Sequence, residues 1–275
     1  MSKRGIVRPM PLSLLQLEML LPAFMMVLAR TAGAVVAVPM FSNTQIPAMV
    51  KVLLAVTLGF VAFPVVMPML PTDVSLTQAA TGLASEFLIG ELLGLAAGAA
   101  LFAAQMAGNV VSQQAGLSLG QVFNPMLDEE TTVLDQLWFF GALMFFFAFR
   151  GHLAVVSALL GSFELVPPMS LALDAGLLDV AAGLATSMFE VALRLAGPSV
   201  LALLATSLVL GFLTKTMPQL NILSVGFAFK VAVGLIAVAA TMAYSGNLIA
   251  DTASESLDSV GRSWQVAAEG LTRGG

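Results

Sequence analysis

Between Glu91 and Asp128 the chain carries no charged residue, yet this stretch is not uniformly apolar. It opens on Gly90, Gly94 and Gly98 at four-residue spacing. It then turns polar without turning ionic, through Gln105, Gly108, Asn109, Ser112, Gln113, Gln114, Gly116, Ser118, Gly120, Gln121, Asn124 and Pro125. That second half is too polar for a helix facing lipid and too poor in charge for an ordinary solvated loop. In a membrane protein, irregular polar backbone at depth is tolerated only where it is buried in protein or lines a wet cavity. The pattern points to a helical membrane protein with a pore or gate.

Composition supports the membrane setting. Of 275 residues, 59% are hydrophobic and 10% charged, against about 25% charged in soluble domains. So few charges cannot cover a globule of this size, and the surface must face lipid or other subunits. Long Leu/Ala/Val/Met/Gly runs without clear alternation give an all-α, polytopic class. There is no cysteine and only one histidine, His152. Disulfides, thiolate metal sites and a histidine-rich metal site are therefore excluded within one chain. No basic cluster suggests nucleic acid. No catalytic, cofactor-binding or metal-binding constellation emerges.

Lys3, Arg4 and Arg8 before an apolar run imitate a secretory leader, with Ala32-Gly33-Ala34 resembling a cleavage site. Arg30 interrupts the run and apolar sequence continues to Val38, so a first transmembrane-type helix is expected instead. Seven apolar segments follow from the turn chemistry, at about 12–41, 47–70, 76–107, 128–149, 151–166, 183–212 and 222–250. Segments four and five are short for a crossing of about 20 residues and are expected to form one bent hairpin, leaving six spans. The tail after Ala250 reads as a short amphipathic or frayed helix. Basic residues place Lys3, Arg4, Arg8, Arg150 and Lys215 on the inside, and Lys51 violates the scheme.

Several features carry two readings each. Gly90, Gly94 and Gly98 share a helix face that lets backbones approach closely, either within one bundle, the preferred reading, or at a subunit interface. Glu86 and Glu91 on an apolar helix are costly unless buried with a partner. A tie to Arg30, Lys51 or a neighbouring subunit is preferred over a proton relay. Arg30 and Lys230 lie inside apolar segments and call for buried partners or wet seams. The turn Lys215-Thr216-Met217-Pro218-Gln219-Leu220-Asn221 joins two long helices, and with Lys230 it offers a contact surface.

In order and spacing, four elements resemble the FliR family, the export-gate component of flagellar and virulence type III secretion systems. They are Arg30-x-x-Gly33 with Pro39-x-Phe41, Glu86-x-x-x-Gly90-x-x-x-Gly94, Gly108 through Pro125, and Gly211 through Lys230 with its Pro218-Gln219-x-Asn221 turn. Two positions depart from the family pattern: Asn124 stands where an aspartate is common, and Ala228 where a proline is frequent. The resemblance implies a FliP-like part over 1–182, a FliQ-like hairpin over 183–250 and a polar tail over 251–275. It implies helical hairpins in a multi-subunit export-gate assembly in the bacterial inner membrane, at the flagellar basal body. The implied partners are FliP- and FliQ-like subunits, FlhB and FlhA, and the implied cargo is unfolded export substrate. Gly108, Asn109, Ser112, Gln113, Gln114, Gly116, Leu117, Ser118, Gly120, Phe123, Asn124 and Pro125 would then form a loop that plugs the channel. Lys215, Pro218, Gln219, Asn221 and Lys230 would lie at the cytoplasmic mouth. Two other classes compete. A self-sufficient secondary transporter would predict interrupted helices in matching halves, which are not found. A membrane enzyme would have only Glu86, Glu91 and His152 as acids and bases.

Overall fold

The computed structural model describes residues 12–42, 46–69, 76–118, 132–170, 175–217 and 222–273. The described residues fold as helices: α1 (Leu12–Ala37), α2 (Pro39–Ser42), α3 (Ala48–Val66, extended by a 3-10 turn Met67–Met69), α4 (Leu76–Ala115), α5 (Val133–Ala148), α6 (Gly151–Leu165), α7 (Ala175–Thr216) and α8 (Ile222–Arg273). The all-α expectation holds.

Helix α4 is the axis of the bundle. Helices α1, α5, α7 and α8 all pack along it, and 72% of its apolar window is buried within the chain, against 17% for α8. Helix α4 can be enclosed in this way because much of the surface it turns to its neighbours is alanine and glycine. Ala96, Ala97, Ala99, Ala100, Ala103, Ala104 and Ala107 are all buried. The three glycines lie against α1 and the turn that follows it. A β-carbon on Gly90 would fall 2.0 Å from the Arg30 carbonyl oxygen, one on Gly94 2.5 Å from the Ala34 carbonyl oxygen, and one on Gly98 2.2 Å from Pro39 Cδ. Gly33 of α1 answers from the other side, 2.2 Å from the Phe87 carbonyl oxygen by the same construction. The spacing thus serves packing within one chain.

Two apolar clusters sit along α4. One joins its second half to Trp138 of α5, Leu195 and Leu203 of α7, and Val238 and Ile249 of α8. The other joins its first half to Val27 of α1, Phe163 of α6, and Val260 and Trp264 near the end of α8.

Three expectations change. Helices α5 and α6 do form a bent pair, with an angle of 69° between them. Among the described residues, however, four helices are long and apolar enough to cross a membrane, or five with the bent pair, where six spans were expected. The described apolar part of α1, Leu21–Ala37, falls short of a crossing, and the charge in its middle is buried against protein. Segment limits move as well, since α4 runs to Ala115 and α7 starts at Ala175. Finally, the tail after Ala250 is neither short nor separate, because α8 continues through it to Arg273. It is amphipathic, as expected: Thr252, Ser256, Val260 and Trp264, four residues apart, are buried while Glu255, Asp258 and Arg262 face out. A single apolar stripe at helical period is enough to hold such a helix on a bundle.

The seam between α1 and α4 generates a test. Gly90→Ala forces a methyl into backbone and is expected to destabilise by about 1–3 kcal/mol, as overpacking does. Gly183→Ala on α7 adds its methyl in open space and is expected to be neutral or stabilising by up to about 1 kcal/mol. Thermal unfolding of the two variants in the same detergent checks the contrast.

Candidate functional site

The polar insert has a helical first half. Gly108, Asn109, Ser112, Gln113 and Gln114 form the last turns of α4, which corrects the expectation of a loop from Gly108 onward. Irregular backbone begins at Gly116. Its φ is 85°, a left-handed conformation that glycine adopts without a steric penalty. The Gly116 N–H donates to the Gln113 carbonyl at 3.1 Å and the Leu117 N–H to the Ser112 carbonyl at 3.0 Å. These are the paired bonds of a Schellman helix end. Leu117 and Ser118 lie in the turn, with Leu117 packed on the first apolar cluster. Gly120, Phe123, Asn124 and Pro125 fall within 119–131, outside the described residues.

Gly108 acts through its lack of a side chain rather than through flexibility. A β-carbon there would fall 2.6 Å from Asp135 Cα, so α4 and α5 touch backbone to backbone at this point. The close approach brings Ser112 to the start of α5, where a polar clamp forms. The Ser112 hydroxyl donates to Asp135 Oδ1 at 2.8 Å. The Thr132 hydroxyl donates to the same oxygen at 2.8 Å, and the Thr132 N–H to Oδ2 at 3.0 Å. The Ser112 and Thr132 hydroxyl oxygens also contact each other. Thr132 and Asp135 form a capping box on α5. Asp135 is buried, and three donors satisfy its carboxylate. The clamp therefore ties together the two ends between which 116–131 is strung. Asp135 was absent from the sequence reading, although Thr132-x-x-Asp135 before an apolar run is a capping signal.

A second buried polar centre lies on the first half of α4. Arg30 of α1, fully buried, donates from Nε to Glu86 Oε2 at 2.7 Å. Its Nη1 donates to the Ser162 carbonyl at 3.0 Å and to Ser162 Oγ at 3.2 Å, and its Nη2 to the Val166 carbonyl at 3.0 Å. The guanidinium stands 4.2 Å from the Phe163 ring centroid, in cation–π range. Glu86 Oε1 accepts from the Met169 N–H at 3.0 Å. This is the tie expected between Glu86 and Arg30. It reaches further than expected, to the carbonyl end of α6, where positive charge is favoured. Ser162, Phe163 and Val166 were not foreseen, because a backbone carbonyl leaves no mark in sequence.

The remaining expected residues are dispersed. Glu91 is half-buried on α4, outside the Arg30 centre. Lys215 is exposed on the last turn of α7 and Lys230 half-buried on α8, while Pro218, Gln219 and Asn221 lie outside the described residues. Glu86 is held by Arg30, and His152 stacks on Phe147 at 5.4 Å. Among the described residues no three His, Asp or Glu side chains gather as a metal site.

The profile of the family described as "Bacterial export proteins, family 1" matches residues 21–256. A flagellar biosynthetic protein FliR from Bacillus subtilis is 29% identical over 221 residues, covering 79% of this chain and 85% of its own length. The FliR of Escherichia coli is 30% identical over 215 residues, covering 78% of this chain and 82% of its own. A secretion system apparatus protein, SsaT of Salmonella typhimurium, is 23% identical over 161 residues, 58% of this chain and 62% of its own.

The two polar centres differ in their response to mutation. Glu86→Ala leaves a buried guanidinium unpaired and is expected to cost about 3–5 kcal/mol, while Arg30→Met with Glu86→Leu recovers much of that loss. Asp135→Ala leaves buried hydroxyl donors unmatched and is expected to cost about 1–3 kcal/mol. Denaturant or thermal unfolding of the detergent-solubilised variants provides the measurement.

Proposed function

The chain belongs to bacterial export proteins, family 1, and from that premise we propose that it is a non-enzymatic, channel-forming subunit of the flagellar type III protein export gate. The observation that carries the reading is the insert after α4. It is polar and uncharged as far as Leu127, with Asp128, Glu129 and Glu130 following, and the chain on either side of it is cinched by the Ser112–Thr132–Asp135 clamp. In this proposal residues 116–125 occlude the channel at rest, and the last turns of α4 (108–115) are their rigid stem.

Neutral polar groups suit such a plug. They hydrogen-bond to one another and to neighbouring subunits, and they yield when an unfolded chain enters. Ionic side chains would hold more firmly and would discriminate among substrates by charge. The carboxylate of the clamp, Asp135, is buried in the packed scaffold, where it exerts little pull on a passing chain.

The rest of the molecule is suited to assembly. Helices α3, α7 and α8 keep most of their apolar windows unburied within the chain, with 22%, 28% and 17% buried. Leu201, Leu208 and Phe212 of α7 and Ile236 of α8 stand on these open faces. We assign such faces to lipid and to FliP- and FliQ-like subunits, in the bacterial inner membrane at the basal body. The turn between α7 and α8, with Lys215 exposed before it, is assigned to the cytoplasmic mouth near FlhB, with FlhA beyond. The likeness to SsaT supports an alternative use in a virulence secretion system.

Deletion of residues 119–127, which spares both Ser112 and the Thr132–Asp135 capping box, tests the plug. Gates assembled with this variant are expected to leak ions across the inner membrane, measured as conductance or as loss of membrane potential. Normal assembly with unchanged conductance removes the plug from the proposal.

A further inference from the structure

A second feature lies outside the insert and its stem. An apolar cavity of about 200 Å³ opens between α1 and α2, α3, and the first turns of α6. Val35, Val38, Leu54, Leu58, Val156 and Leu159 supply much of its wall. Among the described residues that line it, His152 is the sole ionisable one. A cavity of roughly 150 Å³ lined by such side chains stays dry and takes up hydrocarbon.

His152 lines the cavity, and Arg150 stands two positions before it in the chain. His152 and Arg150 are both exposed at the start of α6, where the helix dipole adds further positive character. Arg150 occupies the kink between α5 and α6, with a left-handed φ of 59°. Phe147, Phe149 and Leu153 are exposed around the same point, and the Phe147 ring stacks on His152. An arginine at a helix end is one of the side chains that anchor a protein at a membrane–water interface.

We propose that this cavity seats one acyl chain of an anionic phospholipid whose phosphate lies against Arg150 and His152. The proposal rests on the membrane location and is independent of the plug. Carbon-lined walls select a hydrocarbon chain. The two basic side chains select an anionic headgroup over a zwitterionic one. The site would pin α6, and through Ser162 and Val166 the Arg30 centre, at a fixed level relative to the bilayer surface.

The full chain in nanodiscs containing equal amounts of phosphatidylglycerol and phosphatidylcholine tests this directly. Each lipid in turn carries a photoreactive diazirine on the headgroup-proximal half of its acyl chain, and labelled peptides are read by mass spectrometry. Labelling of Leu58 and Val156 is expected to favour phosphatidylglycerol about five-fold, the order of effect one basic side chain exerts on an anionic lipid. Arg150→Gln should bring the ratio close to one. Val156→Trp, which fills the cavity, should deplete label at Leu58 while sparing the outward residues Val52 and Phe60 of α3. Arg150 is exposed, so its variant carries the test if tryptophan disturbs the bundle. Equal labelling by the two lipids in the unmodified chain overturns the proposal. So does label at Leu58 that vanishes when the chain is assembled with its export-gate neighbours, which would give the cavity to a protein partner. Loss of the lipid preference and loss of the plug are separate results, because conductance is not the readout here.

Discussion

Everything in this fold is arranged around a long helix with faces of alanine and glycine along its length. A 40-residue helix can be enclosed by neighbours along most of its length only if those neighbours come close enough to exclude both lipid and water. In an apolar medium no hydrophobic force drives that approach, so contact area and hydrogen bonds must do it. Alanine and glycine on α4 make the approach sterically possible. Gly33 on α1 and Gly108 opposite Asp135 mark places where even a methyl group would collide. The consequence is positional accuracy, because a helix that meets its neighbours backbone to backbone has little freedom to slide or rotate.

The two polar centres use that accuracy. Each stands where a glycine brings α4 into backbone contact with a neighbour: Gly90 against the Arg30 carbonyl, and Gly108 against Asp135. A guanidinium enclosed by a carboxylate, two carbonyls, a hydroxyl and an aromatic ring tolerates no displacement of a partner without leaving charge unmatched. The Arg30 centre therefore fixes the register of α1, α4 and the end of α6 together. The Asp135 centre does the same for α4 and α5, at the point where the chain leaves the bundle for the insert. Short-range contact sets the distance between helices, and polar contacts within it set their order along the axis.

How much of this was legible in the sequence depended on whether a feature has one physical use or several. Arg30 within an apolar run has few options, so cost alone called for a buried partner; Glu86 was one candidate, its tie being left open among Arg30, Lys51 and a neighbouring subunit. The short fourth and fifth segments could not both cross a bilayer, so their bend was foreseeable. Glycine is ambiguous, and Gly108 was placed in the loop where it serves helix contact; among the described glycines, Gly116 is the one used for its positive φ. The end of α8 looked like a polar tail because its buried stripe includes Thr252 and Ser256, which composition counts as polar. The carbonyls of Ser162 and Val166 were beyond reach, since their role depends on where α6 ends in space. The sequence also counted the first apolar segment as a crossing, whereas among the described residues its apolar stretch is Leu21–Ala37, with Arg30 buried in protein at its middle.

The distribution of charge between scaffold and insert follows from the same physics. A charged group in a low-dielectric setting either finds partners or drops its charge. Within the bundle the partners are supplied: Arg30 has Glu86, and Asp135 has three donors. A charge placed in the insert would have to be matched when the insert is packed and matched again when it is displaced, with two different sets of partners. Neutral amides and hydroxyls avoid that requirement, because either water or another polar group satisfies them at modest net difference. A segment that must exchange one environment for another is thus best built without ions and anchored by an ion that never moves. The proposed plug over 116–125 meets the first condition and buried Asp135 in the first turn of α5 the second, with the acidic Asp128, Glu129 and Glu130 lying in the sequence between them.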